Sequence, residues 1–250
     1  MSAAGDVAVP VRIAMWSGPR NISTAMMRSF ENRADCTVTD EPLYSAYLTR
    51  TGLDHPMRDE VIASQPADFA AVTRQLVGPV PGGAAVWYQK HMAQHLLPDD
   101  PLGWTEGLSN AFLIRDPRAV VASFARGRGR PEPFELGFER QLEIFEHVRH
   151  ATGRVPPVLD STDVLADPES ALRALCAAVG IPFDAAMLSW PAGRRESDGV
   201  WAPVWYAAVE ASTGFVKASP PPETLPDELE AMARSARPAY EAMAAHRLLA

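Results

Sequence analysis

Apolar positions along the chain follow two periods. Short runs at Val11–Trp16, Cys36–Thr39, Ala84–Gln89, Asn110–Ile114 and Val155–Asp160 read as strands. Between them, apolar residues three or four apart predict helices at Ser23–Arg33, Arg58–Val77, Pro117–Arg126, Phe134–Ala151 and Pro168–Val179. Such β-α-β-α alternation predicts an α/β protein, a central parallel sheet covered on both faces, with ligands at the carboxyl ends of the strands. Leu43–His55 and Gly193–Phe215 are aromatic, charged and irregular, as expected of loops covering a cleft. The chain is expected to form a single domain over residues 1–250, with 1–10 as a flexible N-terminus and 218–228 as a Pro-rich connector to a terminal helix.

The first strand runs into the loop Trp16–Thr24, WSGPRNIST. A loop entering a helix presents unpaired backbone N–H groups at the positive end of the helix dipole, a ready site for an anion. Arg20 adds fork-shaped donors suited to phosphate or sulfate, and Ser23 and Thr24 add hydroxyls. The pattern G-x-x-x-x-G-K-[ST] is not met, because Ser23 and Thr24 stand where its second Gly and its Lys would be. That disfavours an ordinary ATP or GTP site. The plainer alternative is a helix capped by Asn, Ser and Thr, with no ligand at all.

Composition acts mainly by exclusion. A formal charge of −8, from 23 basic and 31 acidic residues, argues against a general nucleic-acid or membrane-surface binder. No stretch approaches twenty apolar residues and no basic, apolar leader opens the chain, so a cytoplasmic protein is expected. Cys36 and Cys176 are far apart with no metal-ligand spacing, and read as buried free thiols.

A second anion motif lies in AFLIRDPRAVVASFARGRGR, where Arg115 ends a strand and Ser123 follows eight residues later on a helix. With this motif the sequence resembles the cytosolic-type and bacterial sulfotransferases, which use 3′-phosphoadenosine-5′-phosphosulfate (PAPS). In that family a loop P-[KR]-x-x-[ST]-[ST] grips the 5′-phosphosulfate, as Pro19, Arg20, Asn21, Ile22, Ser23 and Thr24 would here. Its pattern R-[DN]-P-R-x-x-x-x-S binds the 3′-phosphate and is matched by Arg115, Asp116, Pro117, Arg118 and Ser123. The layout of Val158–Pro182 is similar too, and Gly193–Trp201 loosely resembles the family's basic loop over the nucleotide, which would bring Arg194 and Arg195 to the cofactor. The basic triplet of that loop departs, reading Arg194-Arg195-Glu196, and Arg20 replaces the Lys usual in eukaryotic members. The resemblance implies a three-layer α/β/α P-loop-like fold and sulfuryl transfer to a hydroxyl or amine of a small-molecule acceptor. No metal, nucleic acid or membrane is implied, and the oligomeric state is left open. A kinase or nucleotide hydrolase, and an inactive nucleotide-binding protein of the same fold, are the alternatives.

Sulfuryl transfer needs an in-line acceptor, charge stabilisation and a base. Arg20 suits the developing charge. Glu41, in DEP at the exit of the second strand, is the favoured base, because some bacterial sulfotransferases place a catalytic Glu there. His91 follows the third strand after Lys90, near where eukaryotic members carry a catalytic His, and is the second choice. His91 and His95, four apart, have a spacing that could hold a metal, but no third ligand has recognisable spacing.

Overall fold

The structure, a computed structural model, describes residues 9–128, 130–217 and 222–248. Residues 1–8 of the expected flexible N-terminus and 218–221 of the expected connector lie outside the described residues. In chain order the elements are β1 (Val11–Ser17), α1 (Ser23–Glu31), β2 (Cys36–Asp40), α2 (Tyr44–Thr51), α3 (Arg58–Ser64), α4 (Phe69–Leu76) and β3 (Val86–Met92). There follow β4 (Ser109–Ile114), α5 (Pro117–Arg128), α6 (Phe138–Thr152), β5 (Val158–Asp160), α7 (Ser161–Ala166), α8 (Pro168–Val179), α9 (Ala202–Trp205), α10 (Ala207–Glu210) and α11 (Asp227–Ala244).

The five strands form one sheet in the order β2-β3-β1-β4-β5, and every pairing is parallel. The central strand shows why its sequence reads as an unbroken apolar run. Ile13 and Met15 face α1 and α8, packing with Phe30, Leu172 and Leu175, whereas Ala14 and Trp16 face the opposite layer with Phe112, Phe145 and Met243. Side chains alternate along a strand, so a strand covered on both faces must be apolar at successive positions. The parallel pairing also sends the carboxyl ends of β1, β2, β3 and β4 to the same edge of the sheet.

Several expected elements are divided or displaced. The stretch 58–77 forms two helices, because Pro66 biases Gln65 to the extended conformation it adopts (φ −138°, ψ 156°), and Asp68 caps α4 by accepting from the Ala71 N–H at 2.6 Å. Leu43–His55 contains a helix, α2, ended by Gly52 at φ 67°. The expected strand at 155–160 shrinks to Val158–Asp160, since Pro156 and Pro157 have no N–H for the ladder. Cys36 and Cys176 are free thiols, and burial pushes them up to about 12 and about 11. No helix among the described residues is long and apolar enough to cross a membrane.

Candidate active site

The loop after β1 enters α1 through a backbone that side chains barely cap. Ile22, at the N-cap of α1, has no side chain able to satisfy the first-turn N–H groups. Asn21 instead fastens the loop: its amide donates to the Leu113 carbonyl at 3.0 Å and its Oδ1 accepts from the Ile22 N–H at 2.9 Å. Gly18 permits a close approach, because a Cβ there would sit 2.7 Å from the Leu136 carbonyl oxygen. Arg20 adopts φ 55°, a conformation costly for any side chain bearing a Cβ.

The two expected anion motifs meet here. Arg20 Nε donates to Ser123 Oγ at 3.1 Å, and Arg115 Nη1 donates to the Arg20 carbonyl at 2.5 Å. Neither guanidinium has a carboxylate ion-pair partner among the described residues. Burial lowers the pKa of both, with the Arg126 charge adding to the effect on Arg20, and the Arg20 and Arg126 charges adding to that on Arg115. Arginine remains charged under such shifts, so the site concentrates positive charge, which Asp116 and Asp160 offset only in part at Arg115. Asp116 and Arg118 of the same motif serve the scaffold instead: Arg237 pairs with Asp116 at 2.8 Å and Arg118 with Glu230 at 2.9 Å, tying α5 to α11.

At the exits of β2 and β3 lies a buried cluster of opposite character. Lys90 Nζ donates to Asp40 Oδ1 at 2.9 Å, to Glu41 Oε1 at 2.5 Å and to the Tyr206 hydroxyl at 2.7 Å. Tyr206 in turn donates to Asp40 at 2.7 Å, and the Gly199 N–H reaches Asp40 at 3.1 Å. The hub therefore binds two strand ends to the segment 193–215. Burial alone would lower Lys90, but the Asp40 and Glu41 carboxylates outweigh it and hold the ammonium well above the ordinary lysine range. Burial raises Glu41 above the usual carboxylate range; Lys90 works against that rise and Asp40 reinforces it. The sequence reading took Lys90 only as a neighbour of His91 and missed Asp40 as its partner. A signal existed: Lys90 and Lys217 are the chain's two lysines, and Lys90 lies two residues after the apolar run 84–88.

His91 is placed differently from the expectation. Successive strand residues point to opposite faces, so with Lys90 at the cluster His91 turns into the other layer. Its ring stacks on Trp16 with centroids 4.4 Å apart, its Nε2 lies 3.2 Å from Gln89 Oε1, and it does not line the cavity. Burial lowers its pKa to about 3. His95 takes the cavity position instead. It stacks against Tyr44 and Tyr47 with centroids at 4.5 and 4.9 Å, its Nε2 lies 4.0 Å from Glu41 Oε2, and burial holds its pKa well below the usual imidazole value.

Arg194 and Arg195 also fall outside the cavity. The Arg195 guanidinium donates to the Pro191 carbonyl at 3.2 Å and its N–H to Asp198 at 2.8 Å. That turn is fastened to α1, where Arg28 pairs with Asp198 at 2.6 Å and Glu31 accepts from the Ser197 hydroxyl. With Glu196 interrupting the basic triplet, the loop reaches α1 through Asp198 rather than the cavity through its arginines.

One cavity of about 350 Å³ joins the two ends, lined by Pro19–Ala25, Arg115 and Ser123 on one side and by Glu41, Lys90 and His95 on the other. Among the described residues no group of three His, Cys, Asp or Glu is placed to hold a metal ion.

The chain is similar to several known proteins. The chain is 36% identical over 240 residues to branched-chain-amino-acid aminotransferase-like protein 1 of Arabidopsis thaliana, covering 96% of this chain and 43% of that protein. It is 37% identical over 212 residues to protein 2 of the same name, covering 84% and 37%. The chain thus spans less than half the length of these curated relatives. A sulfotransferase from Alicyclobacillus acidocaldarius superposes with a TM-score of 0.55 at 14% identity, covering 96% of this chain and 98% of that one. The sulfotransferase domain from the curacin biosynthetic pathway gives 0.50 at 16% identity, covering 91% and 97%. At such identities these structures establish the fold, a P-loop-like sheet flanked by helices. The family described as sulfotransferase domain matches residues 11–247, and the chain belongs to that family.

Proposed function

We propose that the protein transfers a sulfuryl group from PAPS to a hydroxyl or amine of a small-molecule acceptor. The observation that carries this reading is the junction of Arg20, Ser123 and Arg115, which forms one cationic site continuous with a cavity holding a buried carboxylate, Glu41. The donor fits the residues present: an uncapped helix N-terminus and guanidiniums lacking carboxylate partners suit a ligand carrying more than one anionic group.

In this reading the α1 N-terminus, Ser23 and Thr24 hold the 5′-phosphosulfate, and Arg115 with Ser123 holds the 3′-phosphate. When bound, the donor supplies a sulfuryl group, whose bond to the 5′-phosphate breaks as a bond to the acceptor atom forms, releasing adenosine 3′,5′-bisphosphate. Arg20 stabilises charge building on the leaving side. Glu41 takes the acceptor's proton on Oε2, because Oε1 is held by Lys90. Its raised pKa brings the carboxylate nearer to neutrality, where a general base is most effective. Glu41 is the base in preference to His91, whose ring lies against Trp16.

Calorimetry tests the reading. Adenosine 3′,5′-bisphosphate is expected to bind far more tightly than adenosine 5′-phosphate. Arg115→Ala should weaken the bisphosphate about tenfold or more and leave the monophosphate little changed, since a charge-assisted contact is worth about 1.5–3 kcal/mol. Equal weakening of both ligands would refute the 3′-phosphate assignment, and absence of bisphosphate binding would refute the proposal.

A further inference from the structure

His95 stands on the turn Ala93–His95 that follows β3, with its ring only 3% exposed on the wall of the cavity. Its stacks on Tyr44 and Tyr47, inclined by 14° and 26°, fix the plane of the ring. The two ring nitrogens meet different surroundings. Nδ1 is buried with no hydrogen-bond partner among the described residues, whereas Nε2 lies 4.0 Å from Glu41 Oε2. Burial, reinforced by the charges of His55, Lys90 and His91, keeps the imidazole neutral, so one nitrogen carries a proton and the other a bare lone pair. The proton belongs on Nε2. There it faces a carboxylate oxygen, while on Nδ1 it would be a buried N–H with nothing to receive it.

Nε2 and Glu41 Oε2 are too far apart for a direct bond and close enough to share one atom, since two hydrogen bonds of about 2.8 Å meeting at about 90° span their separation. The pair presents one donor, the Nε2–H, and one acceptor, the Oε2 of a carboxylate whose Oε1 accepts from Lys90 at 2.5 Å. A hydroxyl satisfies both and keeps a lone pair for attack, because its oxygen carries one proton and two lone pairs. A neutral amine has a single lone pair, which can either accept from Nε2–H or attack, and an ammonium has none.

We infer that the acceptor group is a hydroxyl rather than an amine, its oxygen held between Glu41 Oε2 and the Nε2–H of His95, which makes His95 a further catalytic residue. This rests on the sulfotransfer reading and narrows it. The O–H proton passes to Oε2, one lone pair of the oxygen stays on Nε2–H, and the other forms the new O–S bond. The S–O bond to the 5′-phosphate breaks at the same time, and its electron pair leaves with adenosine 3′,5′-bisphosphate. An amine in this place has to give up its bond to Nε2–H in order to react, leaving a buried donor unpaired.

Methanol and methylamine are small enough to enter a cavity of about 350 Å³ whatever the natural acceptor, and serve as the probes. With the full chain and PAPS at pH 7.5, methyl sulfate is expected to form about 100-fold faster than N-methylsulfamate, with rates expressed per neutral amine. In free solution the amine is the stronger nucleophile, so this order would come from the site. His95→Phe, which can keep the stacks on Tyr44 and Tyr47 but has no ring N–H, should cut the preference about tenfold with bisphosphate affinity unchanged, and His95→Gln, which restores an N–H, should recover part of it. The ring nitrogen-15 shifts of His95 are expected to show the neutral Nε2–H tautomer. Comparable rates for the two probes, an unchanged preference in His95→Phe, or a ring protonated on Nδ1 would overturn the inference and leave sulfotransfer standing. Absence of methyl sulfate from a protein that binds the bisphosphate would overturn it as well. Failure to bind the bisphosphate at all would instead refute the sulfotransfer reading on which the inference rests.

Discussion

Replacing Lys90 by Met removes the single ammonium that three buried groups share while nearly conserving the volume of the stem. Asp40 and Glu41 are only 4% and 9% exposed, so the substitution leaves two carboxylates out of water with their cation gone. Breaking a buried ion pair from one side costs about 3–5 kcal/mol, well above the worth of a surface pair. In a chain of this size that corresponds to a fall in Tm of about 6–20 °C. The pH dependence gives a second signature. Lys90 is held above its ordinary value of 10.5, so its contribution is complete below that value and is lost only at higher pH. In the variant Lys90 no longer opposes the burial of Glu41, whose folded pKa rises further above its unfolded value of 4.5. The folded state then binds more protons than the unfolded one between those two values, so the variant regains stability as pH falls through them. Urea unfolding at pH 7.5 and 5.5 is expected to show the full deficit at the higher pH and a smaller one at the lower. Asp40→Asn combined with Lys90→Met should recover part of the loss, since neutralising one carboxylate removes part of the uncompensated charge. A deficit below about 1 kcal/mol, or one that does not change with pH, would show that this cluster is not the buried ionic network the geometry indicates.

Three further substitutions probe the loop after β1 and the two candidate bases. Gly18→Ala forces a Cβ to within 2.7 Å of the Leu136 carbonyl and should cost about 1–3 kcal/mol, and wild-type thermal stability would show that the loop moves aside freely. Glu41→Gln should lower kcat about 10²–10⁴-fold with bisphosphate affinity unchanged, whereas His91→Phe, which can keep the stack on Trp16, should alter kcat less than about threefold; the reverse pattern would restore His91 as the base.

Much of the fold is legible in the sequence because both signals behind it are local. Alternation of short apolar runs with helical periods identifies the parallel sheet, and the loop after β1 and the Arg115–Ser123 spacing identify two places for an anion. That these two places touch follows from β1 and β4 being neighbours, a tertiary fact that sequence order alone does not supply. The pairing of Lys90 with Asp40 was hidden for the same reason, since it depends on the register that sets Asp40 opposite Lys90. His91 lies outside the cavity because a motif marks a neighbourhood, while strand parity decides which face a side chain occupies: it is Lys90, one residue earlier, that turns toward the cavity. Arg194 and Arg195 looked basic enough for a nucleotide loop, yet Asp198 four residues beyond Arg194 turns that loop toward Arg28 of α1, a long-range ion pair no local pattern discloses.

Backbone strain joins the two ends of the cavity in one argument. Arg20 and Glu41 take φ values of 55° and 41°, where a glycine would be at ease and a side chain with a Cβ costs about 1–3 kcal/mol. Each stands just past a strand, and each is held there by a bond from the neighbouring strand's exit. The Arg20 carbonyl accepts from Arg115 beyond β4 at 2.5 Å, and the Glu41 N–H donates to the Lys90 carbonyl of β3 at 3.0 Å. Glycine at either place would relieve the backbone but would bring neither a guanidinium to the cationic end nor a carboxylate to the opposite one. Met57, at φ 58°, shows that strain by itself does not mark the site, since it does not line this cavity. The informative combination is strain together with a charged side chain turned into shared space. It occurs at both strand exits between which, on the proposed reading, a sulfuryl group would have to pass from donor to acceptor.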